Sequence, residues 1–373
     1  MTLSSPRPDV AAPTEDAEAA QASQAPQAAD ARRPLRVTLL AGGVGGARFT
    51  RGLRDLLRRR DVPAELTVVV NTGDDMWLDG LRVCPDLDTV MYTLAGVVHA
   101  EQGWGRQDET TRVSAELHAY GLGWPWFTLG DLDIATHVAR TELLRRGLPL
   151  SDVTARLSGR WELGARLLPM SDQSVETHVE LESGSGPSDT VHFEEWWVRL
   201  HASVPARRFV QVGVDDARPA PGVVDAIAGA DVVLLPPSNP VVSVGTILGV
   251  PGIRDALRAT AAPVVGVAPI VGGAPVRGMA DACLTTIGVE TTALAVGEHY
   301  GARSAGGLLD GWLVDTADAD AVPALAGVGI GARALPLLMG DGVGDDGLTA
   351  TEAIAAAALD LAGLGARVAS PTS

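Results

Sequence analysis

The chain has 373 residues, enough for one large core with an insertion or for two lobes, because single hydrophobic cores stop growing near about 250–300 residues. Its 46% apolar and 20% charged residues are typical of a globular protein, and no apolar run of about 18 residues predicts a membrane helix. The formal charge of −17 argues against a general nucleic-acid surface, since clustered cations meet phosphate backbones. An anionic substrate would need local arginines, backbone N–H groups or a metal.

All 29 basic residues are arginine, which excludes a Schiff-base lysine, a lysine general base and a Walker-type P-loop. The two cysteines, Cys84 and Cys283, are far apart and have no CxxC or paired histidine spacing, so neither a zinc site nor a disulfide framework is indicated. Residues 1–34 have almost no large apolar side chains and are predicted to be disordered. They also lack the apolar run of a secretion signal, so we expect a cytoplasmic protein.

Ordered structure is predicted from residue 35, with a strand over 36–41, a glycine loop over 42–46 and a helix over 47–60. Backbone N–H groups of such a loop, and the helix N-terminus after it, can hold a phosphate. The dinucleotide fingerprint is incomplete, because Arg48 stands at the third glycine position and Asn71 stands where a ribose-binding acid is expected. A mononucleotide or diphosphate is therefore favoured over NAD. A role for the glycines in packing alone stays open.

The stretch 71–89 combines turn-forming residues with a high density of acids, and it follows an apolar strand predicted over 66–70. Its acids are Asp74, Asp75, Asp79, Asp86 and Asp88. In open α/β sheets, ligands bind beyond the carboxyl ends of the strands. Clustered carboxylates repel one another unless a cation lies between them, and Mg²⁺ is usually bound by one or two carboxylates plus substrate phosphates. A solvated acidic loop is the alternative, but the position after a buried strand favours a site.

Helices are predicted next over 89–98, 108–120, 130–146 and 151–159, the last with Ser151 as its N-cap. On the third of these, Thr136 and Arg140 share a face and His137 lies beside them. Half of the eight tryptophans fall in or between these helices: Trp104, Trp124, Trp126 and Trp161. They can fill a core or form the wall of a pocket for a flat heteroaromatic ring.

From 178 to 201 an alternating pattern around a Gly/Ser/Pro turn predicts a β-hairpin. Strands predicted over 231–235, 263–270, 308–314 and 333–338 then alternate with helices over 289–300 and 348–362. This alternation predicts a doubly wound, mostly parallel, Rossmann-like α/β sheet. The expected division is a core of 35–96 and 178–363, a helical insertion of 97–177, and tails of 1–34 and 364–373. Ser238 and Asn239 lie past a strand end, in a turn bracketed by prolines.

Together these motifs resemble the CofD/FbiA transferases of coenzyme F420 biosynthesis, in their actinobacterial form. The resemblance spans about residues 35–363 and is carried by LAGGVGGARF (40–49), NTGDD (71–75), PDLDTVMYTL (85–94), WFTLGDLDIATHVAR (126–140), LLPMSDQSVETHV (167–179), HFEEWWV (192–198), PPSNPVVSVGTIL (236–248) and PIVGGAPVRGMA (269–280). One departure is mild: the family often has SIGPIL where this chain has SVGTIL at 243–248.

The resemblance implies a Mg²⁺-dependent transfer of a phosphorylated three-carbon acid from its guanosine diphosphate derivative to the ribityl hydroxyl of the deazaflavin Fo, with release of GMP. It implies nucleotide contacts from Gly42, Gly43, Gly45, Gly46, Ser238 and Asn239. Residues expected at the deazaflavin and the reacting phosphate are Asn71, Thr72, Thr89, Trp126, Thr136, His137 and Arg140. We expect Asp74, Asp75 and Asp88 to be catalytic. The predicted Mg²⁺ ligands are Asp75, Asp86 and Asp88.

Two other classes of protein stay open. A non-enzymatic nucleotide-sugar-binding regulator of the gluconeogenesis-factor type is similar in the glycine loop and the PSN turn, but would lack the tryptophan-bearing insertion. An NAD-dependent oxidoreductase would need the missing third glycine and ribose acid. Overall similarity to actinobacterial members favours an enolpyruvyl over a lactyl donor. The expected partners are small molecules, without nucleic acid or membrane, and a homodimer is left open.

Overall fold

The computed structural model describes residues 33–182 and 189–369. Its strands are β1 Leu35–Ala41, β2 Ala64–Val70, β3 Met76–Leu78, β4 Leu81–Val83, β5 Arg166–Pro169, β6 Glu176–Leu181, β7 Thr190–His192, β8 Ala206–Val212, β9 Val232–Leu235, β10 Val264–Val267, β11 Ile270–Val271, β12 Ala274–Pro275, β13 Gly311–Val314 and β14 Gly331–Ala334. Its α-helices are α1 Val44–Arg59, α2 Pro85–Ala95, α3 Arg112–Ala119, α4 Asp131–Arg145, α5 Leu150–Ser158, α6 Val223–Ala228, α7 Val244–Gly249, α8 Ile253–Ala259, α9 Ala280–Thr286, α10 Ala293–Tyr300, α11 Ala321–Gly327, α12 Ala350–Leu361 and α13 Gly365–Val368.

A seven-stranded sheet in the order β14-β13-β10-β9-β1-β2-β5 forms the centre of the fold, and its neighbouring strands are all parallel. Strands such as β9 and β10 are buried along their whole length, as expected when helices cover both faces of a parallel sheet. The predicted doubly wound α/β fold is confirmed. The chain runs outward in one direction from β1 and in the other from β9, so the loops after these two strands lie at a switch point, where crevices form.

Two helices begin earlier than the sequence predicts. Helix α1 starts at Val44, so Gly45 and Gly46 belong to its first turn and not to a loop. Helix α2 starts at Pro85, not at residue 89, because proline is pre-organised for the first helical position. Asp86 and Asp88 therefore lie in the first turn of a helix.

The predicted N-cap role of Ser151 is wrong. Helix α5 already includes Ser151, and its N-cap is Pro149. The N–H and Oγ of Ser151 instead donate to the Asp172 carboxylate, at 2.7 and 3.0 Å. This contact ties the start of α5 to the segment after β5.

The predicted hairpin is a three-stranded antiparallel sheet, β7-β6-β8. The sequence HFEEWWV does not continue as a strand, because Glu195–Arg199 forms a π-helical turn. Trp196 in this turn is buried, and its indole N–H donates to the Val204 carbonyl at 2.8 Å. The predicted Gly/Ser/Pro turn of the hairpin, at 183–188, lies outside the described residues.

The predicted insertion, 97–177, contributes more than helices. Its segment Arg166–Pro169 is β5, the edge strand that pairs with β2 in the central sheet. The predicted tail 364–373 contains α13, whose Val368 is buried and accepts a hydrogen bond from Arg60 at 2.8 Å. The N-terminal tail lies almost wholly outside the described residues. Within the described ranges, no helix combines the length and hydropathy needed to span a bilayer.

Candidate functional site

The glycine turn after β1 and the proline-rich turn after β9 pack against each other at the switch point. The N–H of Gly42 donates to Oγ of Ser238 at 3.1 Å. A Cβ on Gly45 would overlap the carbonyl oxygen of Pro237. Glycine is therefore required here for the approach of two backbones, in addition to any approach of a phosphate.

Asn239 holds the second turn in shape. Its Oδ1 accepts from the N–H groups of Val241 and Val242, at 2.9 and 3.2 Å, and its Nδ2 lies 3.5 Å from Sγ of Cys283. By contrast, no side chain caps α1 and no acid lies in its first turn. The first N–H groups of a helix have no intrahelical partner, so this end of α1 suits an anion such as a diphosphate.

A first group of carboxylates adjoins the glycine turn. The Asn71 side-chain amide donates to Asp74 at 3.2 Å and to Asp86 at 2.9 Å, and its carbonyl oxygen accepts from the N–H of Gly73 at 2.9 Å. Oδ1 of Asp74 is buried and has no hydrogen-bond partner among the described residues. A Cβ on Gly43 would overlap Oδ1 of Asp86. A diphosphate on the glycine turn would therefore lie beside these carboxylates.

Glu194 belongs to the same group, although the sequence analysis did not select it. Burial raises the pKa of Glu194 to about 8, and the Asp86 carboxylate adds to this shift. Burial also raises the pKa of Asp86 to about 6, against the hydrogen bond from Asn71. The pKa of Asp74 is raised well above its usual range by burial, then by the charges of Asp86 and Glu194. These shifts mark carboxyl groups that no cation of the described chain pairs with, so that part of the group keeps a proton near neutral pH.

A second group surrounds Asp88. The guanidinium of Arg140 donates to Asp88, and Nδ1 of His137 lies 3.6 Å from the same carboxylate. On its other side, Nε2 of His137 lies 3.4 Å from Asp133, which accepts a hydrogen bond from the Tyr92 hydroxyl at 2.8 Å. The side chains of Tyr92, Asp88, His137 and Arg140 are almost completely buried. Asp133 is also a buried residue, and its side chain is 12% exposed. The predicted residues His137 and Arg140 are therefore brought to Asp88 and to each other.

This second group has the spacing of a metal site and already contains one cation, the guanidinium of Arg140. Within the described part of the chain, Asp88, Asp133 and His137 are the one set of three metal-type side chains whose ligand atoms all lie within 4.8 Å of one another. Arg140 provides a positive charge to Asp88, and Tyr92 donates to Asp133. One oxygen of Asp88 and Nε2 of His137 are nevertheless buried without a hydrogen-bond partner among the described residues.

Asp75 has surroundings of its own. Nη2 of Arg82 lies 3.6 Å from its carboxylate, but neither carboxylate oxygen has a hydrogen-bond partner among the described residues. Burial raises the pKa of Asp75 to about 7, and the charge of Arg82 acts in the opposite direction. The three predicted Mg²⁺ ligands, Asp75, Asp86 and Asp88, are thus divided among three neighbouring groups and do not converge on one point.

The remaining predicted deazaflavin residues occupy different surroundings. Thr72 and Thr89 are buried, and Oγ1 of Thr72 has no partner among the described residues. The Thr136 hydroxyl donates to a backbone carbonyl of its own helix at 3.4 Å. The described ring contacts of Trp126 are with other aromatic residues and not with the aspartate groups. It stacks on Trp124, at 4.8 Å between ring centroids, and makes an edge contact with Phe127.

Several residues of the site were missed from the sequence. Glu194 stands next to Glu195, and only the fold shows that Glu194 is buried whereas Glu195 pairs with Arg199 at 2.5 Å. Arg82 and Tyr92 lie in the selected acidic stretch or just after it, but carry no local signal of a buried role. The HFEEWWV motif, in which two acids interrupt a run of aromatic residues, is the one hint for Glu194.

A cavity of about 350 Å³ lies elsewhere, between α5 and β5, and contains none of the predicted site residues. The fold and the site instead define a Rossmann-like α/β protein with an acidic cluster, Asp74 and Asp86 around Asn71, beside a glycine turn at the switch point.

Comparison with known proteins identifies the family. The model of the CofD family, described as 2-phospho-L-lactate transferase CofD, matches residues 37–324. Proteins named phosphoenolpyruvate transferase are similar along nearly their whole length: that of Thermobifida fusca is 60% identical, over 88% of this chain and 98% of its own. That of Streptomyces griseus is 58% identical over the same shares, and that of Mycolicibacterium smegmatis is 53% identical over 88% and 99%. This chain belongs to the CofD family and is a transferase.

The same fold occurs in a more distant protein. A crystal structure of a UPF0052 family member from Bacillus halodurans superimposes with a TM-score of 0.55 at 18% identity, over 88% of this chain and 99% of that one. At this identity the likeness concerns the fold alone.

Proposed function

We propose that this protein transfers the phosphoenolpyruvyl group, or its 2-phospho-L-lactyl counterpart, from the guanosine diphosphate derivative to the ribityl hydroxyl of Fo in the cytoplasm. The hydroxyl oxygen attacks the phosphorus that carries the three-carbon acid, the bond to the guanylyl oxygen breaks, and GMP leaves. With the enolpyruvyl donor the product is dehydro coenzyme F420-0. The names of relatives 53–60% identical to this chain support the transferred group.

The observation that carries the proposal is the contact between the glycine turn and the acidic cluster, where Gly43 lies directly over Asp86. Phosphoryl transfer depends mainly on positioning and on neutralisation of charge. Because the chain has no lysine, the free N–H groups at the start of α1 hold the diphosphate. The phosphorus to be attacked then lies beside the acidic cluster.

The carboxylate oxygens of the acidic cluster are of the kind that a magnesium ion binds. Asp74 is buried, Asp86 is half-buried, and no ion pair within the described chain neutralises either carboxylate. Hard carboxylate oxygens together with substrate phosphates are the usual environment of Mg²⁺. When bound, the ion neutralises the diphosphate and the developing charge on the leaving group.

In this proposal Asp75 accepts the proton of the ribityl hydroxyl. Its pKa of about 7 lies near the working pH, where a general base is most efficient. Arg82 holds one side of its carboxylate, and both oxygens are free of hydrogen bonds from the described chain. Asp88, held by Arg140 and His137, positions the start of α2 and thereby Asp86. The stacked Trp124 and Trp126 cover the planar deazaflavin.

The decisive experiment combines binding with product analysis. Purified protein is titrated with Fo, followed by the fluorescence of Fo, and then incubated with the guanylylated acid and Mg²⁺ before mass spectrometry. We expect micromolar binding and an Fo derivative that carries the phosphorylated acid. A nucleotide-binding regulator would bind the guanosine nucleotide alone, so failure to bind Fo at micromolar protein contradicts the transferase proposal.

A further inference from the structure

We propose that Arg277, together with Arg48, binds the phosphates of the guanosine diphosphate donor beside the start of α1. This inference rests on the proposed function for the identity of the ligand, and it deepens that function by naming the side chains that meet the donor's negative charge. Neither arginine is among the nucleotide contacts that the sequence resemblance implies.

The first support is the position of Arg277 in the fold. Strand β10 is a parallel neighbour of β9, and β9 is a parallel neighbour of β1. Arg277 lies in the segment that follows β10, between β12 and α9. Because ligands of open α/β sheets bind beyond the carboxyl ends of the strands, this segment lies at the edge where the glycine turn and the proline-rich turn meet.

The second support is the geometry around Gly103, a buried residue of the loop 99–105 between α2 and α3. A Cβ on Gly103 would lie 3.0 Å from Cγ1 of Val44 and 3.3 Å from Nη1 of Arg277. Val44 is the first residue of α1, so one added carbon atom would touch both the start of this helix and the guanidinium. Arg48 is four residues after Val44, on the same face of α1.

The third support is the way in which Arg277 is held. Its guanidinium donates to the Gln102 carbonyl and lies 5.1 Å from the centre of the Trp104 ring. The loop that carries these two partners is fixed by its own backbone, since the N–H of Gly103 donates to the His99 carbonyl at 2.8 Å. A guanidinium has five N–H donors, so most of those of Arg277 are left for a ligand.

The fourth support is charge. Among the described residues, no carboxylate forms an ion pair with Arg48 or Arg277, although the chain has 46 acidic and only 29 basic residues. By contrast, Arg51, one turn further along α1, pairs with Asp341 at 2.6 Å. Partial burial lowers the pKa of Arg277, and the charge of Arg48 lowers it further. Two cations without a carboxylate beside the start of one helix indicate an anionic ligand.

The chemistry of the two side chains defines that ligand. A guanidinium stays protonated and recognises phosphate through a planar fork of N–H donors. The acidic cluster meets the glycine turn at Gly43, whereas Arg277 approaches the same turn of the chain at Val44. A diphosphate on the N–H groups of α1 therefore has carboxylates on one side and arginines on the other.

The test compares Arg277→Gln and Arg48→Gln with Arg51→Gln. Arg51 is the matched control, because its replacement removes the same charge from α1 and it is already paired with Asp341. GDP affinity is measured by calorimetry in Mg²⁺ buffer, and guanosine affinity by saturation-transfer nuclear magnetic resonance, after circular dichroism has verified the fold. Arg277 is an exposed residue, so its replacement leaves the fold intact.

We expect GDP to bind about tenfold or more weakly to Arg277→Gln and to Arg48→Gln, and with wild-type affinity to Arg51→Gln. Guanosine should bind all three variants like the wild type, because it has no phosphate. Arg277→Lys should have an intermediate GDP affinity, since an ammonium group keeps the charge but not the planar fork.

Wild-type GDP affinity in Arg277→Gln overturns the inference. Equal losses of GDP and guanosine affinity also overturn it, because Arg277 would then only hold the loop 99–105. Product formation from Fo by the wild-type protein is followed separately. An active enzyme whose Arg277→Gln variant binds GDP normally retains the proposed function and loses the phosphate contact. Weakened GDP binding without any Fo product retains the phosphate contact and loses the function.

Discussion

The carboxylate of Asp88 lies against the guanidinium of Arg140, 52 residues further along the chain, and both side chains are almost completely removed from water. Arg140 also donates to the Arg82 carbonyl at 3.3 Å, so one side chain joins α4, α2 and β4. Removal of one member of such a pair leaves an uncompensated buried charge, which is strongly destabilising.

We predict that Arg140→Met lowers the free energy of unfolding by about 3–5 kcal/mol, measured by urea denaturation. Arg146→Met is the control, because Arg146, the C-cap of the same helix, pairs with Glu142 on the surface, where about 0–1 kcal/mol is expected. Addition of Asp88→Asn to Arg140→Met should recover part of the loss. Equal stabilities of the two single variants would show that the buried pair does not hold these elements together.

The second prediction concerns Gly45. A methyl group there meets the Pro237 carbonyl, so Gly45→Ala should push apart the two turns at the switch point and weaken GDP binding at least tenfold. Gly327→Ala is the matched control, because a Cβ at Gly327 has no atom within 4 Å. GDP affinity is measured by calorimetry on variants with wild-type circular dichroism spectra. Unchanged affinity in Gly45→Ala would mean that the turn only packs.

The parallel sheet could be predicted from the sequence because its central strands leave a strong local signal. Strand β9 is a continuous apolar run bounded by a turn, as fully buried strands are. Strand β5 could not be predicted in the same way. It has four residues, and its position is fixed by pairing with β2, about a hundred residues earlier in the chain.

The site was predicted as a set of residues, but its division into groups was not. Asp86 and Asp88 are two residues apart in α2, so their side chains leave the helix on different sides and join different groups. The sequence predicts that α2 begins at residue 89, so both aspartates are expected in the loop before that helix. The arginines that separate these groups, Arg82 and Arg140, act through contacts between distant elements, which local patterns do not contain.

The third prediction is a pH dependence. Burial raises the pKa of Asp75 to about 7, so the folded protein keeps a proton there that the unfolded chain, with a pKa of about 3.9, releases. Stability from this proton is complete below about pH 4 and is lost as the pH rises through about 7. In EDTA, the free energy of unfolding should fall between pH 5 and 8 by about 2–3 kcal/mol more in wild type than in Asp75→Asn.

Asp79→Asn is the control for this measurement. Asp79 is exposed and has a φ of 49°, a conformation that asparagine also tolerates. Its pH profile should follow that of the wild type. If Asp75→Asn also follows the wild type between pH 5 and 8, Asp75 is ionised in the folded protein and is not a base with a pKa near neutrality.

The last prediction is the identity of the three-carbon acid. The relatives that are 53–60% identical to this chain are named phosphoenolpyruvate transferases, so we expect the enolpyruvyl donor to be preferred over the lactyl and glyceryl ones. The enolpyruvyl donor has a planar carbon where the other two donors have a tetrahedral one. A pocket distinguishes such groups by on the order of 1–3 kcal/mol each, or about 10–200-fold in kcat/KM. The three guanylylated acids are supplied together with limiting Fo, and the products are weighed by mass spectrometry. Because the enolpyruvyl product lacks a pair of hydrogens relative to the lactyl product, the two are resolved directly, and a majority of the lactyl product would assign this enzyme to the other donor.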